Sequence, residues 1–250
     1  MRVALVTLFP ETLGLVSEIG VTGRAVRDER LSITAINPRD YTEDRHRSVD
    51  DRPYGGGPGM VLKYAPFRAA IASARQRLPA AAPVVFLTPQ GRRFDQAMAA
   101  ELSALPGLIL VAGRYEGFDE RLIEAEGGRE VSLGDFVLSG GEIAAVAVID
   151  AIVRLLPGTL GDSRSAVEDS FVDGLLDCPH YTRPELADGR PVPQVLLNGN
   201  HEDIRRWRLQ QALGRTALRR PDLLDKRGLS PEEQQLLDEF LRARQLGDAG

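Results

Sequence analysis

Four short stretches gather the residues able to bring bare main chain against a ligand: RPYGGGPGM at 52–60, LTPQG at 87–91, AGRYEG at 112–117 and SLGDFVLSGGE at 132–142. Glycine lacks the Cβ that would hold a ligand off, so such segments suit recognition by peptide N–H and C=O groups. The common phosphate cradles do not match. A Walker loop needs a lysine after its final glycine, and Lys63 and Lys226 stand in no such pattern. A dinucleotide fingerprint fails because Gly55 and Gly57 are followed by Met60, and Gly57 and Gly59 by Leu62. What is left is a pocket of exposed peptide groups walled by Leu87, Leu133 and Leu138, which suits an adenine and ribose held by main-chain bonds. Taken singly, GRYEG and LSGGE also read as ordinary turns. Cys178 and His180 have metal-ligand chemistry, but with one cysteine and three histidines no second pair completes a site. The expectation there is a buried thiol beside a turn histidine, with no metal ligand set and no internal disulfide.

Ligand loops of this kind are carried at the carboxyl ends of parallel strands. The runs VALVTLF (3–9), LSITAI (31–36), PVVFLT (83–88), GLILVAG (107–113) and REVSLG (129–134) read as strands, several without polar alternation and so buried on both faces. Residues 66–78, 94–105 and 118–126 between them read as helices, as does the nearly charge-free 143–156. The expected class is α/β: a mainly parallel sheet with helices on both faces, three of whose loops line one pocket.

From Pro157 to Asn200 the pattern lapses into Pro, Gly, Asp and Ser, and a linker begins near Gly158, with 161–175 as its flexible part. Beyond it, Ile204, Trp207, Leu209, Leu213 and Leu218 recur at roughly helical spacing. SPEEQQLLDEFLRARQL then opens with Ser230 as N-cap, Pro231 at the first helical position and Glu233 closing a capping box. Residues 1–160 and 176–250 are therefore expected as two domains, the second small and helical.

No signal peptide is expected, because MRVALVTLFPE breaks its apolar run at Pro10 and Glu11. The longest apolar stretch, Ile143 to Leu156, carries Asp150 and Arg154 and falls short of the ~20 residues a membrane span needs. A soluble, cytoplasmic protein with no membrane partner follows as the expectation. The net charge of −5 argues against indiscriminate coating of nucleic acid. Between His201 and Arg220, however, Arg205, Arg206, Arg208, Arg215, Arg219 and Arg220 face only Glu202 and Asp203, a locally basic surface suited to a polyanion.

VTGRAVRD, PRDYTEDRHRSVDDRPYGGGPGM, LTPQGR, LILVAGRYEGFDER, SLGDFVLSGGE, AVEDSFVDGLLDCPHYTRPE, VPQVLLNGNHEDIRRWR and LGRTALRRPDLL follow one another in order. Together they resemble the bacterial tRNA (guanine-N1)-methyltransferase family, TrmD, over nearly the whole chain. The resemblance implies methyl transfer from S-adenosylmethionine to N1 of the guanosine immediately 3′ of the anticodon, position 37, which guards the reading frame. It implies a trefoil-knotted catalytic domain of the SPOUT class over 1–160, a flexible interdomain linker, a tRNA-binding helical domain, and a homodimer with a composite active site. Magnesium assistance is a further family trait, with no site identifiable here.

The resemblance also assigns residues. Phe86, Leu87 and Pro89 from the first loop would hold the methyl donor with Gly113, Tyr115, Glu116 and Gly117 from the second. Leu133, Gly134, Asp135, Phe136, Val137, Leu138, Gly140 and Gly141 from the third complete that set, the last two letting main chain pass close to the donor. Asp169 matches the general base that takes the N1 proton, and Arg154 the group assisting at O6, where charge develops. Arg45, His46 and Arg52 fall on a stretch associated with the RNA side, while Arg205, Arg208, Arg215 and Arg220 would grip the tRNA backbone. Apart from the resemblance, Asp169 and Ser170 before FVDGLL read as helix caps, Arg154 as a cation complementing a helix dipole, and 45–52 as a solvated loop. Ala144, where many members carry proline, and Phe86, where tyrosine is common, depart from the pattern. Two other classes share these features: a nucleotide-sensing nucleic-acid-binding regulator, with no need of Asp169, and a knotted ribose 2′-O-methyltransferase, with no ring-nitrogen proton to remove.

Overall fold

A computed structural model describes residues 1–161 and 169–247 of the chain. Met1–Ser163 and Arg164–Gly250 form two compact units.

The first unit is built on strands β1 (Arg2–Val6), β2 (Ser32–Ile36), β3 (Asp50–Asp51), β4 (Val61–Leu62), β5 (Val84–Arg93), β6 (Gly107–Ala112) and β7 (Arg129–Ser132). Five of them make one sheet in the order β2-β1-β6-β5-β7, every neighbour parallel. Its helices are α1 (Gly14–Ser17), α2 (Gly20–Arg27), α3 (Tyr64–Arg77), α4 (Gln96–Ser103), α5 (Glu120–Glu126) and α6 (Gly141–Val153). Because strand side chains alternate, Val3, Leu5, Val85, Leu87, Leu108 and Leu110 face one way and pack with residues of α1, α2, α4 and α6. Ala4, Val6, Val84, Phe86, Ile109 and Val111 face the other way, onto α3 and α5. β6, central in the sheet, is buried at all its positions, as its unbroken apolar sequence requires.

The expected strands and helices are all present. α1, α2 and the short antiparallel β3–β4 pair were not foreseen. LTPQG, expected as a loop after its strand, is instead an irregular continuation of β5, whose register with β7 shifts between Leu87 and Arg92. Gly91 makes this possible, since a Cβ there would lie 2.2 Å from the Val131 nitrogen.

In the second unit, α7 (His201–Arg219) and α9 (Pro231–Gly247) pack through Ala212, Leu213, Leu236 and Leu237. The foreseen capping box is present: the Glu233 N–H donates to Ser230 Oγ at 3.2 Å and the Ser230 N–H to Glu233 Oε2 at 2.8 Å. A short helix between them, α8 (Pro221–Arg227), was not anticipated, although proline at its first position is an ordinary start. Of the expected linker, 162–168 lie outside the described residues. Leu175, by contrast, is buried in the core of the second unit, and its carbonyl accepts from the Phe171 N–H at 2.7 Å. No helix follows Asp169 and Ser170, so the capping reading falls; Ser170 Oγ instead accepts from the Asp177 N–H at 2.9 Å. No described helix is long and apolar enough to cross a membrane.

Candidate active site

The irregular middle of β5, the carboxyl ends of β6 and β7 with the loops that follow, and the start of α6 surround one cavity of about 270 Å³. Of the residues expected at the methyl donor, Leu87, Pro89, Gly113, Tyr115, Glu116, Gly117, Leu133, Phe136, Val137, Leu138, Gly140 and Gly141 line it. Three do not. The Phe86 ring is fully buried on the opposite face of the sheet, edge-on to Phe118 at 5.1 Å, because it is one residue out of phase with Leu87. Gly134 and Asp135 form the turn before the wall: Gly134 adopts φ +154°, its carbonyl accepts from the Phe136 N–H at 2.9 Å, and Asp135 is exposed. Thr88, Gln90, Arg114 and Ser139 also line the cavity and were not singled out from sequence, as does Ala144, noted there only as a departure from the family pattern.

The glycine pair at the entrance to α6 has a structural cause on each residue. A Cβ on Gly141 would stand 2.8 Å from the Gly113 nitrogen and 2.9 Å from Ala112 Cα, main chain against main chain. At that spot the Gly141 N–H donates to the Gly113 carbonyl at 2.7 Å, closing the end of β6 onto the helix. A Cβ on Gly140 would stand 2.3 Å from Arg114 Nε and 2.6 Å from Glu142 Oε2. An ion pair lies across it: Arg114 Nε donates to Glu142 Oε2 at 2.9 Å. Glu142 is buried, and its other oxygen accepts from Thr7 Oγ1 at 2.9 Å. Its place in the first turn of α6 lets the helix dipole favour its charge. The Arg114 guanidinium also lies 4.3 Å over the Phe9 ring, and Nη1 donates to the Ser139 carbonyl at 3.3 Å.

The glycine-rich stretch 52–60 borders this site. The Glu116 N–H donates to the Met60 carbonyl at 3.0 Å and the Leu62 N–H to the Gly117 carbonyl at 2.9 Å. Gly55, Gly56, Gly57 and Gly59 all have left-handed φ, which glycine alone adopts freely. Tyr115 is also left-handed, at φ +58°, an uncommon conformation for an aromatic residue and one that turns it to the cavity rim. Arg45, His46 and Arg52 are exposed on the neighbouring loop. Arg47 is structural there, donating to Asp40 and to the Arg39 carbonyl. Arg154 sits at the C-cap of α6, half-buried, its N–H donating to the Asp150 carbonyl at 3.2 Å.

In the second unit, Asp169 lines a different cavity, of about 780 Å³, with Asp177, His180, His201, Arg205 and Arg208. Asp177, Cys178 and His180 have donor atoms within 4.8 Å of one another. His180 Nε2 already pairs with Asp177 Oδ2 at 2.7 Å, and burial pushes the Cys178 thiol up, away from the thiolate a metal requires. Burial works to raise the Asp177 carboxyl as well, but bonds from His180 and the Cys178 N–H outweigh it and hold it down. Of the basic helix, Arg205 pairs with Glu202 at 2.6 Å and Arg220 with Asp222 at 2.8 Å. Among the described residues no ion pair engages Arg208 or Arg215.

The family model described as tRNA (Guanine-1)-methyltransferase TrmD matches residues 1–226. A protein of Stutzerimonas stutzeri named tRNA (guanine-N(1)-)-methyltransferase is 59% identical over 244 residues, 98% of each chain. Its namesake from Pseudomonas aeruginosa is 60% identical over 243 residues, 97% of this chain and 96% of that one. One from Pseudomonas putida is 59% identical over 244 residues, again 98% of each. With the match spanning both units and every loop of the cavity, the chain belongs to the tRNA (guanine-1)-methyltransferase family.

Proposed function

We propose that this chain methylates N1 of guanosine 37 in tRNA, with S-adenosylmethionine as methyl donor. The observation that carries it is the near-full-length identity of about 60% to relatives bearing that name. The cavity fits the donor's adenosine: peptide groups of 113–117 and 138–141 are brought close by glycine, and Leu87, Leu133 and Leu138 wall it. When bound, the donor supplies a methyl group activated by a sulfonium. The chain's own residues then have to hold the acceptor nitrogen in line and free its lone pair.

N1 of guanine carries a proton, so a carboxylate must take it, and Asp169 is the residue proposed. The charge left on O6 calls for a fixed cation, the proposed role of Arg154. The residues flanking the cavity and the exposed Arg45, His46 and Arg52 would receive the extruded base and its neighbours. Arg208 and Arg215, with Arg205 and Arg220, would hold phosphates. The finer architecture in this reading follows the family resemblance: a SPOUT-type trefoil knot in 1–160, a tRNA-binding 176–250, and a cytoplasmic homodimer in which Asp169 of one chain serves the donor site of the other. Magnesium is proposed as an accessory ion with no assigned ligands.

The test is methyl incorporation from labelled S-adenosylmethionine into tRNAs bearing G or A at position 37. Incorporation into the G form only is expected, falling by about 10²–10⁴ in Asp169→Ala while donor binding persists. Wild-type incorporation into the A form rejects the guanine-N1 reading, and full turnover in Asp169→Ala rejects the base.

A further inference from the structure

Glu142 has no part in the chemistry above, yet both of its carboxylate oxygens are engaged beside the cavity. It is 3% exposed, with Thr7 on one oxygen and Arg114 on the other. Three segments meet on it: the end of β1 through Thr7, the loop after β6 through Arg114, and the start of α6. Thr7 is itself fully buried, and its Oγ1 also accepts from the Phe9 N–H at 3.0 Å, which sets the ring on which Arg114 lies. Arg114, unlike Glu142, lines the cavity. Its bond to the Ser139 carbonyl and its antiparallel bridge to Gly140 tie one cavity loop to the facing one.

We infer that Glu142 is a positioning residue for the methyl donor: it fixes Arg114 between the two loops that face each other across the cavity and cancels the guanidinium charge beside a sulfonium. This rests on the cavity being the donor site. The electrostatic half follows from the ligand's chemistry. A sulfonium is a cation, and an uncompensated guanidinium in the wall of the cavity that holds it would repel it. A carboxylate 2.9 Å from the guanidinium makes the pair nearly neutral toward the ligand. The steric half follows from Gly140, whose missing Cβ is the space the pair occupies. S-adenosylhomocysteine separates the two halves, because it shares the adenosine and the amino acid but lacks the positive sulfur.

The experiment measures calorimetric affinities for both ligands, well below the melting temperature, in wild type, Glu142→Gln and the double variant Arg114→Gln with Glu142→Gln. In Glu142→Gln, S-adenosylmethionine is expected to weaken by about tenfold or more, and S-adenosylhomocysteine by distinctly less. The double variant leaves no lone buried charge, so it folds even where the single one fails. It is expected to bind both ligands more weakly than wild type but in the wild-type ratio. Equal weakening of the two ligands in Glu142→Gln, or a double variant with wild-type affinity for both, overturns the inference. Where Glu142→Gln does not fold, the double variant's affinities decide alone. Wild-type protein that binds neither ligand overturns the cavity assignment itself.

Discussion

Replacing Gly141 with alanine tests the account of the α6 entrance at its tightest point. The new Cβ would lie 2.8 Å from the Gly113 nitrogen, 2.9 Å from Ala112 Cα and 3.2 Å from the Ala112 carbonyl carbon. Comfortable carbon contacts begin near ~3.5 Å, so helix and strand must part by roughly half an ångström or more. Neither side yields easily. β6 is the buried centre of the sheet, and α6 is packed down by Ala145, Val148 and Ile149. Parting them stretches the 2.7 Å bond from Gly141 to the Gly113 carbonyl. Overpacking costs about 1–3 kcal/mol and the strained bond about 1, offset by at most about 1 for alanine's better helix propensity. The net loss of about 1–3 kcal/mol corresponds to a fall of roughly 3–10 °C in the melting of the first unit.

Calorimetry and circular dichroism follow that melting. Gly161→Ala is the control, because its Cβ would meet nothing within 4 Å. It should melt at or slightly above wild type. Gly141→Ala melting with the control would refute the claim that close main-chain packing, and not ligand approach alone, demands glycine at this position.

The second unit can be followed by itself, since the chain's single tryptophan, Trp207, lies on α7. Gly214→Ala would put a Cβ 2.2 Å from the Phe240 ring at the α7–α9 crossing, and should lower the unfolding free energy read from the urea transition of Trp207 by about 1–3 kcal/mol, seen as a lower midpoint; an unchanged midpoint means the ring moves freely aside. Glu233 is held down to about 2 by the hydrogen bond from Arg227, against burial. A depressed folded value means stability fully present above the ordinary 4.5 and lost as pH falls toward 2, on the order of 3 kcal/mol for this mostly buried pair. Glu233→Gln should therefore destabilise the unit at pH 7 and flatten its pH dependence below pH 5, and parallel pH curves would refute the assignment. On the proposed tRNA surface, Arg208→Ala and Arg215→Ala should each reduce the slope of log affinity against log salt by about 0.7–0.9. Arg205→Ala, whose guanidinium Glu202 already engages at 2.6 Å, should change it less, and equal effects would refute the ranking.

The sheet was legible because unbroken apolar runs such as GLILVA admit few fates other than a strand buried on both faces. The capping box at Ser230 was legible because it is wholly local. α2, with its mixed GVTGRAVR sequence, and the two-residue strands β3 and β4 were not, since tertiary packing rather than propensity makes them. Most of the cavity could be named from loops that glycine marks; of the three exceptions, strand phase explains Phe86, while Gly134 and Asp135 fall in the turn before the wall. Arg114 was inside a stretch already singled out and still escaped notice. Its partner stands 28 residues on, and nothing local pairs them. A signal existed all the same: adjacent glycines followed by an acid in the first turn of an apolar helix imply something bulky lying over the glycines. Asp169 as a cap was the misleading local signal, because what looked like a helix start is a turn whose serine serves Asp177.

Two carboxylates other than the proposed base Asp169 stand at or beside the first unit's cavity, Glu142 and Glu116. Glu142 has both oxygens engaged and is sealed from solvent, so it is unsuited. Among the described residues lining the first unit's cavity, Glu116 is the other carboxylate to weigh. It is exposed, and its side chain lies where a Cβ on Gly59 would come within 2.2–2.7 Å, so it rests on the glycine-rich stretch at the cavity's border. A wall carboxylate of this kind serves to bind, whereas a base for N1 has to meet the acceptor once it arrives. Glu116→Gln should therefore raise the donor's KM with kcat at saturation nearly intact. Asp169→Asn should do the reverse, lowering kcat by about 10²–10⁴ with the donor's KM kept. A Glu116→Gln variant that binds donor normally and loses turnover would move the proton to Glu116, and the proposed composite site would no longer be needed to explain catalysis.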